Sequence, residues 1–131
     1  DPGLRSEWDE ARAVFAADDL RWIVAPEAHG GRGLNEVAVV HRLDPADPAR
    51  RLLGVIDRLV VRPGRVDIVD YKSNRVEPGE IADLVEHYRE QLGAYRDALR
   101  PLYPDRDIRC WLLWTRLAAA GHPAALTEVA P

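Results

Sequence analysis

The chain has 131 residues, a net charge of −4, 47% hydrophobic and 31% charged residues, and a single cysteine. That size suits one domain around one core, and the balance excludes a disordered or collagen-like chain. No apolar run reaches transmembrane length and no signal-peptide pattern opens the chain, so a cytoplasmic protein without a membrane partner is expected, with Cys110 a small core residue.

In chain order, Leu4, Trp8, Ala11 and Phe15 recur at helical spacing and predict a helix from Leu4 to Ala17. Asp18 or Asp19 is expected to cap a second short helix through Ile23, stopped by Pro26. Trp8, Phe15 and Trp22 read as core rather than as a stacking platform. His29 to Gly33 reads as a flexible link, with no Gly-Lys-Ser/Thr to make it a phosphate loop. Asn35 to His41 is an expected strand, with Glu36 a surface residue by default. The turn-rich Asp44-Pro-Ala-Asp-Pro48 follows.

The most informative stretch is Gly54 to Arg75. Two β-rich runs flank Pro63-Gly64, a hairpin signal; proline at Pro63 rules out a type I′ turn and leaves a type II turn or a wider loop. The implied register sets Val61 opposite Val66, Leu59 opposite Ile68 and Asp57 opposite Asp70. Strict alternation then gathers Val55, Asp57, Leu59, Val61, Val66, Ile68, Asp70 and Lys72 on one face. Two like charges facing one another in apolar surroundings are costly, and a hard divalent cation such as Mg²⁺ would relieve them. The alternative is structural: Asp57 paired with Arg58 or Arg109, and Asp70 with Lys72.

Of the 18 Lys+Arg residues, every one is arginine except Lys72. An ammonium in Asp-x-Lys, in a chain so biased toward guanidinium, suggests a place where a compact point charge is needed. Beyond it, Leu84, Tyr88, Leu92, Tyr95 and Leu99 predict a helix from about Ile81 or Asp83 to Leu102, with Gln91 and Tyr95 stacked on one face. Ile108 to Thr115 reads as a strand buried on both sides, and Leu126 to Ala130 as a short edge strand. The order predicts an α/β domain with a mixed sheet, a three-strand meander plus a further strand, flanked by helices. The expected layout is a helical lead-in over 1–34, a core over 35–115 and a tail over 116–131. No zinc spacing joins His29, His41, His87 and His122, and neither Ser73 nor Cys110 has the setting of a covalent nucleophile.

Gly-x-x-Asp-Arg, then Asp-Tyr-Lys-Ser-Asn-Arg, then Gln-x-x-x-Tyr-Arg resembles the RecB-type branch of the PD-(D/E)xK nucleases. The stretch from Tyr103-Pro-Asp-Arg to Leu-Leu-Trp-Thr115 is similar, more narrowly, to the C-terminal nuclease domains of AddA-type helicase–nucleases. The resemblance implies a restriction-endonuclease-like core and Mg²⁺-dependent hydrolysis of DNA, with Mn²⁺ able to substitute. By position, Asp57, Asp70 and the Tyr71 carbonyl would hold metal, with Glu36 a further candidate ligand. Lys72 would orient water and offset phosphate charge; Gln91 and Tyr95 would line the cleft. Arg58, Arg75, Arg89 and Arg96 are candidate grips on the DNA backbone. The implied upstream histidine is missing from the N-terminal helix, so the chain is expected to be a fragment of a longer helicase–nuclease polypeptide. ATP use would belong to the helicase part, and an AddB-like protein is the implied partner. A DNA-binding or docking module without catalysis remains the alternative.

Overall fold

The structure, a computed structural model, describes residues 17–131. The expected helix from Leu4, with Trp8 and Phe15, falls outside the described residues. A 3-10 turn, Asp18–Leu20, runs into α1 (Arg21–Val24), and a second, Pro26–His29, follows. Its cap position is Ala17, without a side-chain bond, so Asp18 and Asp19 occupy the first turn rather than capping it. There follow β1 (Arg32–Arg42), β2 (Arg51–Arg62), β3 (Arg65–Lys72), α2 (Ile81–Leu99), β4 (Asp107–Trp114), α3 (Thr115–Ala119) and β5 (Leu126–Val129). The strands form one sheet in the order β1-β2-β3-β4-β5, with β1 to β3 an antiparallel meander. β3 and β4 run parallel, β5 antiparallel to β4. A parallel neighbour requires a crossover, and α2 supplies it. The α/β class and mixed sheet match the expectation; the sheet has five strands.

The hairpin forms as its sequence demands. Arg62 and Arg65 pair around Pro63-Gly64, and Gly64 has φ of 97°, which the second central residue of a type II turn needs. Leu59 faces Ile68 and Val61 faces Val66. Two local readings are corrected. Gly33 lies in β1, not in a flexible link, because a Cβ there would come within 2.2 Å of the Arg58 guanidinium that crosses it. Thr115 opens α3 rather than ending β4.

The alternation along β2 is also corrected. Val55 is 50% exposed whereas Ile56 is 1% exposed, so Val55 does not share the face of Leu59. Leu34 and Val37 on β1 both reach the core, as do Ile56 and Leu59 on β2, although three positions separate each pair. Period two would send such residues to opposite faces. The register pairs Leu34 with Leu59 and Val37 with Ile56, so both strands turn over together in the gap between these pairs. Glu36 sits in that gap at φ of 51°, a left-handed conformation that non-glycine residues seldom adopt. Tertiary burial on both sides of the gap outweighs the local strain.

α2 covers the sheet. Its entry is a turn with Pro78 in the first position and reciprocal bonds between Glu77 and Glu80. Leu92, Tyr95 and Leu99 are buried against the strands, and the Cys110 thiol donates to the Leu92 carbonyl at 3.7 Å. The helix ends at Leu99, one turn earlier than expected, with the Leu102 and Tyr103 amides closing on the Leu99 carbonyl. Tyr95 lies directly over Gly54, where a Cβ would stand 2.5 Å from Cε1 of the ring. An alanine there must displace a buried aromatic ring. Gly54→Ala should therefore cost about 1–3 kcal/mol, read as a lower urea midpoint with an unchanged m-value; an unchanged midpoint would show that Tyr95 does not need this gap.

Candidate active site

β2 and β3 stay paired only as far as Arg58 opposite Val69. Beyond that point the strands part, and the Tyr71 amide donates to Asp57 Oδ2 at 2.8 Å. A carboxylate thus takes the donor that the neighbouring strand no longer satisfies. Asp57 and Asp70 are not ladder partners, since the pairing stops one position short of them; they lie near enough for Asp70 to raise the pKa of Asp57. Asp70 is 7% exposed, and its Oδ2 lies 2.8 Å from Lys72 Nζ. The Lys72 ammonium in turn sits 3.8 Å from the centre of the Tyr88 ring on α2.

Two carboxyl groups this close cannot both ionise without cost. Burial pushes Asp57 up to about 6, and its hydrogen bond with Asp70 and that group's charge add to the rise; the Tyr71 amide and Lys72 oppose it. Two carboxyl groups set close together in partly buried surroundings are short of positive charge. Of the structural alternative, the Asp70–Lys72 ion pair forms, whereas Arg58 and Arg109 are engaged away from Asp57. Arg58 donates to the carbonyls of Ile23 and Val24 and to Asn35, and Arg109 pairs with Asp107 and Glu128.

The donors fit a divalent cation. Asp70 Oδ2 is buried and meets the Lys72 ammonium at 2.8 Å, which leaves its other oxygen and Asp57 as acceptors for a cation. Among those residues no group of three or more histidine, cysteine, aspartate or glutamate side chains converges. Two carboxylates form a lean set that leaves room for water and phosphate, as Mg²⁺ prefers. Glu36 is exposed and adds no third acidic ligand to the pair. The Tyr71 backbone is at the pair through its amide.

Tyr95 is buried beside the acids, and burial followed by the charges of Asp70 and Asp57 raises its pKa, so the hydroxyl keeps its proton. Gln91, one turn earlier on α2, is exposed and makes no hydrogen bond to Asp57, Asp70 or Lys72 among the described residues. The four arginines expected as DNA grips sit in different surroundings. Arg58 ties α1 to β1 and β2, Arg89 holds Glu86 and the Ala130 carbonyl, and Arg96 reaches the Pro131 carbonyl at 3.2 Å. Arg75 is exposed.

Two features escape a reading of the sequence. Asp67 is 0% exposed on the opposite face of β3 and is neutralised by Arg62 and Arg65 at 2.8 Å, with Trp111 Nε1 donating at 2.8 Å. Its signal was the hairpin's other face, where Arg62, Arg65 and Asp67 fall together. Tyr88 was legible only as part of an apolar stripe; its place three residues before Gln91 and seven before Tyr95 puts it on the same side of the helix. At the end of β3, Thr115 donates to the Lys72 carbonyl at 3.3 Å and Arg116 to the Ser73 carbonyl at 2.9 Å, so α3 fixes the strand that carries Asp70 and Lys72.

Comparison with known proteins agrees with this geometry. A family model described as the PD-(D/E)XK nuclease superfamily matches residues 1–130. An ATP-dependent helicase/nuclease of the AddA type from Desulforudis audaxviator is 38% identical over 68 residues, covering 48% of this chain and 6% of that protein. A protein of the same name from Oenococcus oeni is 29% identical over 70 residues, 53% of this chain and 6% of that protein. The chain thus matches about 6% of the length of these relatives. No helix among the described residues is long and apolar enough to cross a membrane.

A raised carboxyl pKa carries a sign. The folded state holds the Asp57 proton more tightly than the unfolded chain, so this contribution to stability is full below the unfolded value of 3.8 and is lost as pH rises through about 6. Asp57→Asn keeps an acceptor for the Tyr71 amide and a donor for Asp70 without an ionisation to suppress. In metal-free buffer it should stabilise the chain at neutral pH by on the order of 1 kcal/mol after solvent screening, the gain shrinking to nothing as pH falls below about 4. Urea titrations of both forms across that range test the sign.

Proposed function

We propose, for a chain that belongs to the PD-(D/E)XK nuclease superfamily, that its site hydrolyses phosphodiester bonds of DNA with the help of a divalent ion, Mg²⁺ by preference. The observation that carries this reading is the convergence of Asp57 and Asp70, unpaired with any guanidinium, beside the ammonium of Lys72. Asp57, Asp70 and the Tyr71 carbonyl would hold the ion. When bound, it supplies positive charge against the phosphate and makes water easier to deprotonate.

The chain's own groups account for the rest. Lys72 brings a positive charge to the scissile phosphate and, through its ion pair with Asp70, stands where it would orient the attacking water. The protonated Tyr95 hydroxyl borders the same carboxylates as a donor. Gln91 is an exposed amide one turn away and is free to meet DNA rather than the acids. Cys110 is buried and its thiol is pushed up to about 12, chiefly by that burial, so it is no nucleophile. Water is left as the attacking group. The chain's likeness to helicase/nuclease proteins supports a place in double-strand-break repair and recombination as an exonuclease of the cytoplasm. There the remainder of the polypeptide would supply ATP-driven motion and a second protein the partner surface.

Titration calorimetry with Mg²⁺ and Mn²⁺ tests the reading. Wild type should bind either ion and Asp70→Asn should lose most of the heat; heat unchanged by the substitution would favour the non-catalytic docking module. Lys72→Ala should lower DNA cleavage by about 100-fold or more while circular dichroism and DNA binding stay close to wild type. Cleavage at the wild-type rate would remove the lysine from the mechanism.

A further inference from the structure

The Lys72 ammonium is held from two sides by groups of different kinds. Asp70 Oδ2 touches it at 2.8 Å, and the face of Tyr88 lies 3.8 Å away on the covering helix. An aromatic face attracts a cation through its quadrupole without carrying a charge of its own. A second carboxylate in that place would hold the lysine as firmly but cancel the charge that a phosphate has to feel. It would also compete with Asp57 and Asp70 for any cation.

From this geometry we infer that Tyr88 is a positioning residue, which anchors the Lys72 ammonium on α2 so that its charge stays available at the Asp57–Asp70 pair. The inference rests on the proposed nuclease reading. It explains why a ring that is only partly buried sits in the apolar stripe of α2. It also gives the lysine a holder that does not depend on Asp70. Once Asp70 turns its electron density toward a cation, the ion pair with Lys72 weakens, whereas the attraction of the ring is unchanged. The ring rather than the hydroxyl does this, so phenylalanine should replace tyrosine here and an aliphatic residue should not.

Lys72 is the sole lysine of the chain, so lysine labelled with ¹³C at Cε yields one methylene resonance for the folded protein. In metal-free wild type its protons should be shifted upfield by the ring current, keep that shift in Tyr88→Phe and move to the position of a free lysine in Tyr88→Leu. A wild-type resonance already at the free-lysine position would overturn the proposal, even if the leucine variant failed to fold. So would an upfield shift that survives in Tyr88→Leu. In cleavage assays with Mg²⁺, Tyr88→Leu should lose about tenfold in kcat with KM for DNA nearly unchanged, and Tyr88→Phe should restore it. A loss confined to KM, or the same loss in both variants, would overturn the positioning role. If wild type shows the ring-current shift but no metal-dependent cleavage, it is the nuclease reading that fails, and the contact stands without a reaction to serve.

Discussion

Two carboxyl groups come together at the point where β2 leaves β3, and much of the surrounding structure serves to keep them there. Asp57 is fixed by accepting the Tyr71 amide, a donor that the ladder would otherwise have used. Asp70 is fixed by its place in β3, with β4 paired alongside as far as Lys72 and Trp114. The partners of these acids limit their charge without removing it: one amide, one ammonium and each other. The site is therefore electrostatically open, in the sense that a further positive charge would lower its energy.

The other acid of β3 shows what a closed arrangement looks like. Asp67 is fully buried, yet two guanidinium groups and an indole satisfy its oxygens. Trp22 meets Trp111 edge to face at 5.4 Å, and Arg62 lies over the Trp22 ring at 4.9 Å, so the neutralising arginines are themselves held by aromatic surfaces. One strand thus presents an acid neutralised by two guanidinium groups on one face and, on the other, one of a pair of acids sharing one ammonium. Burial alone does not distinguish them; the identity of the partners does.

The same logic of shape runs through the glycine-x-x-aspartate-arginine segment. Gly54 leaves space for Tyr95, Asp57 enters the acid pair, and Arg58 crosses Gly33 to bind the carbonyls at the end of α1. The change of face shared by β1 and β2, with Glu36 in the left-handed region, lets Gly54 and Asp57 serve the same side despite a spacing of three. A regular strand would have sent one of them away from the covering helix.

The order of helices and strands, the hairpin with its Pro-Gly turn and the register of Leu59 on Ile68 were all legible in the sequence, because turn chemistry and apolar periodicity act over a few residues. The register legible there places Asp57, Asp70 and Lys72 at one end of the hairpin, but their meeting is made by side chains beyond the last ladder pair. What the sequence could not decide was anything set by contacts between distant segments. Alternation placed Val55 with the acids, and the shared change of face moved it out. The sequence left the partners of Arg58 open, and the carbonyls at the end of α1, distant in the chain, take up its guanidinium. Tyr88 looked like any other apolar position until α2 was laid across the sheet and set its ring over the lysine. Local rules fixed which groups could meet; the tertiary structure decided which of them kept their charge, because that depends on partners which only long-range packing brings within reach.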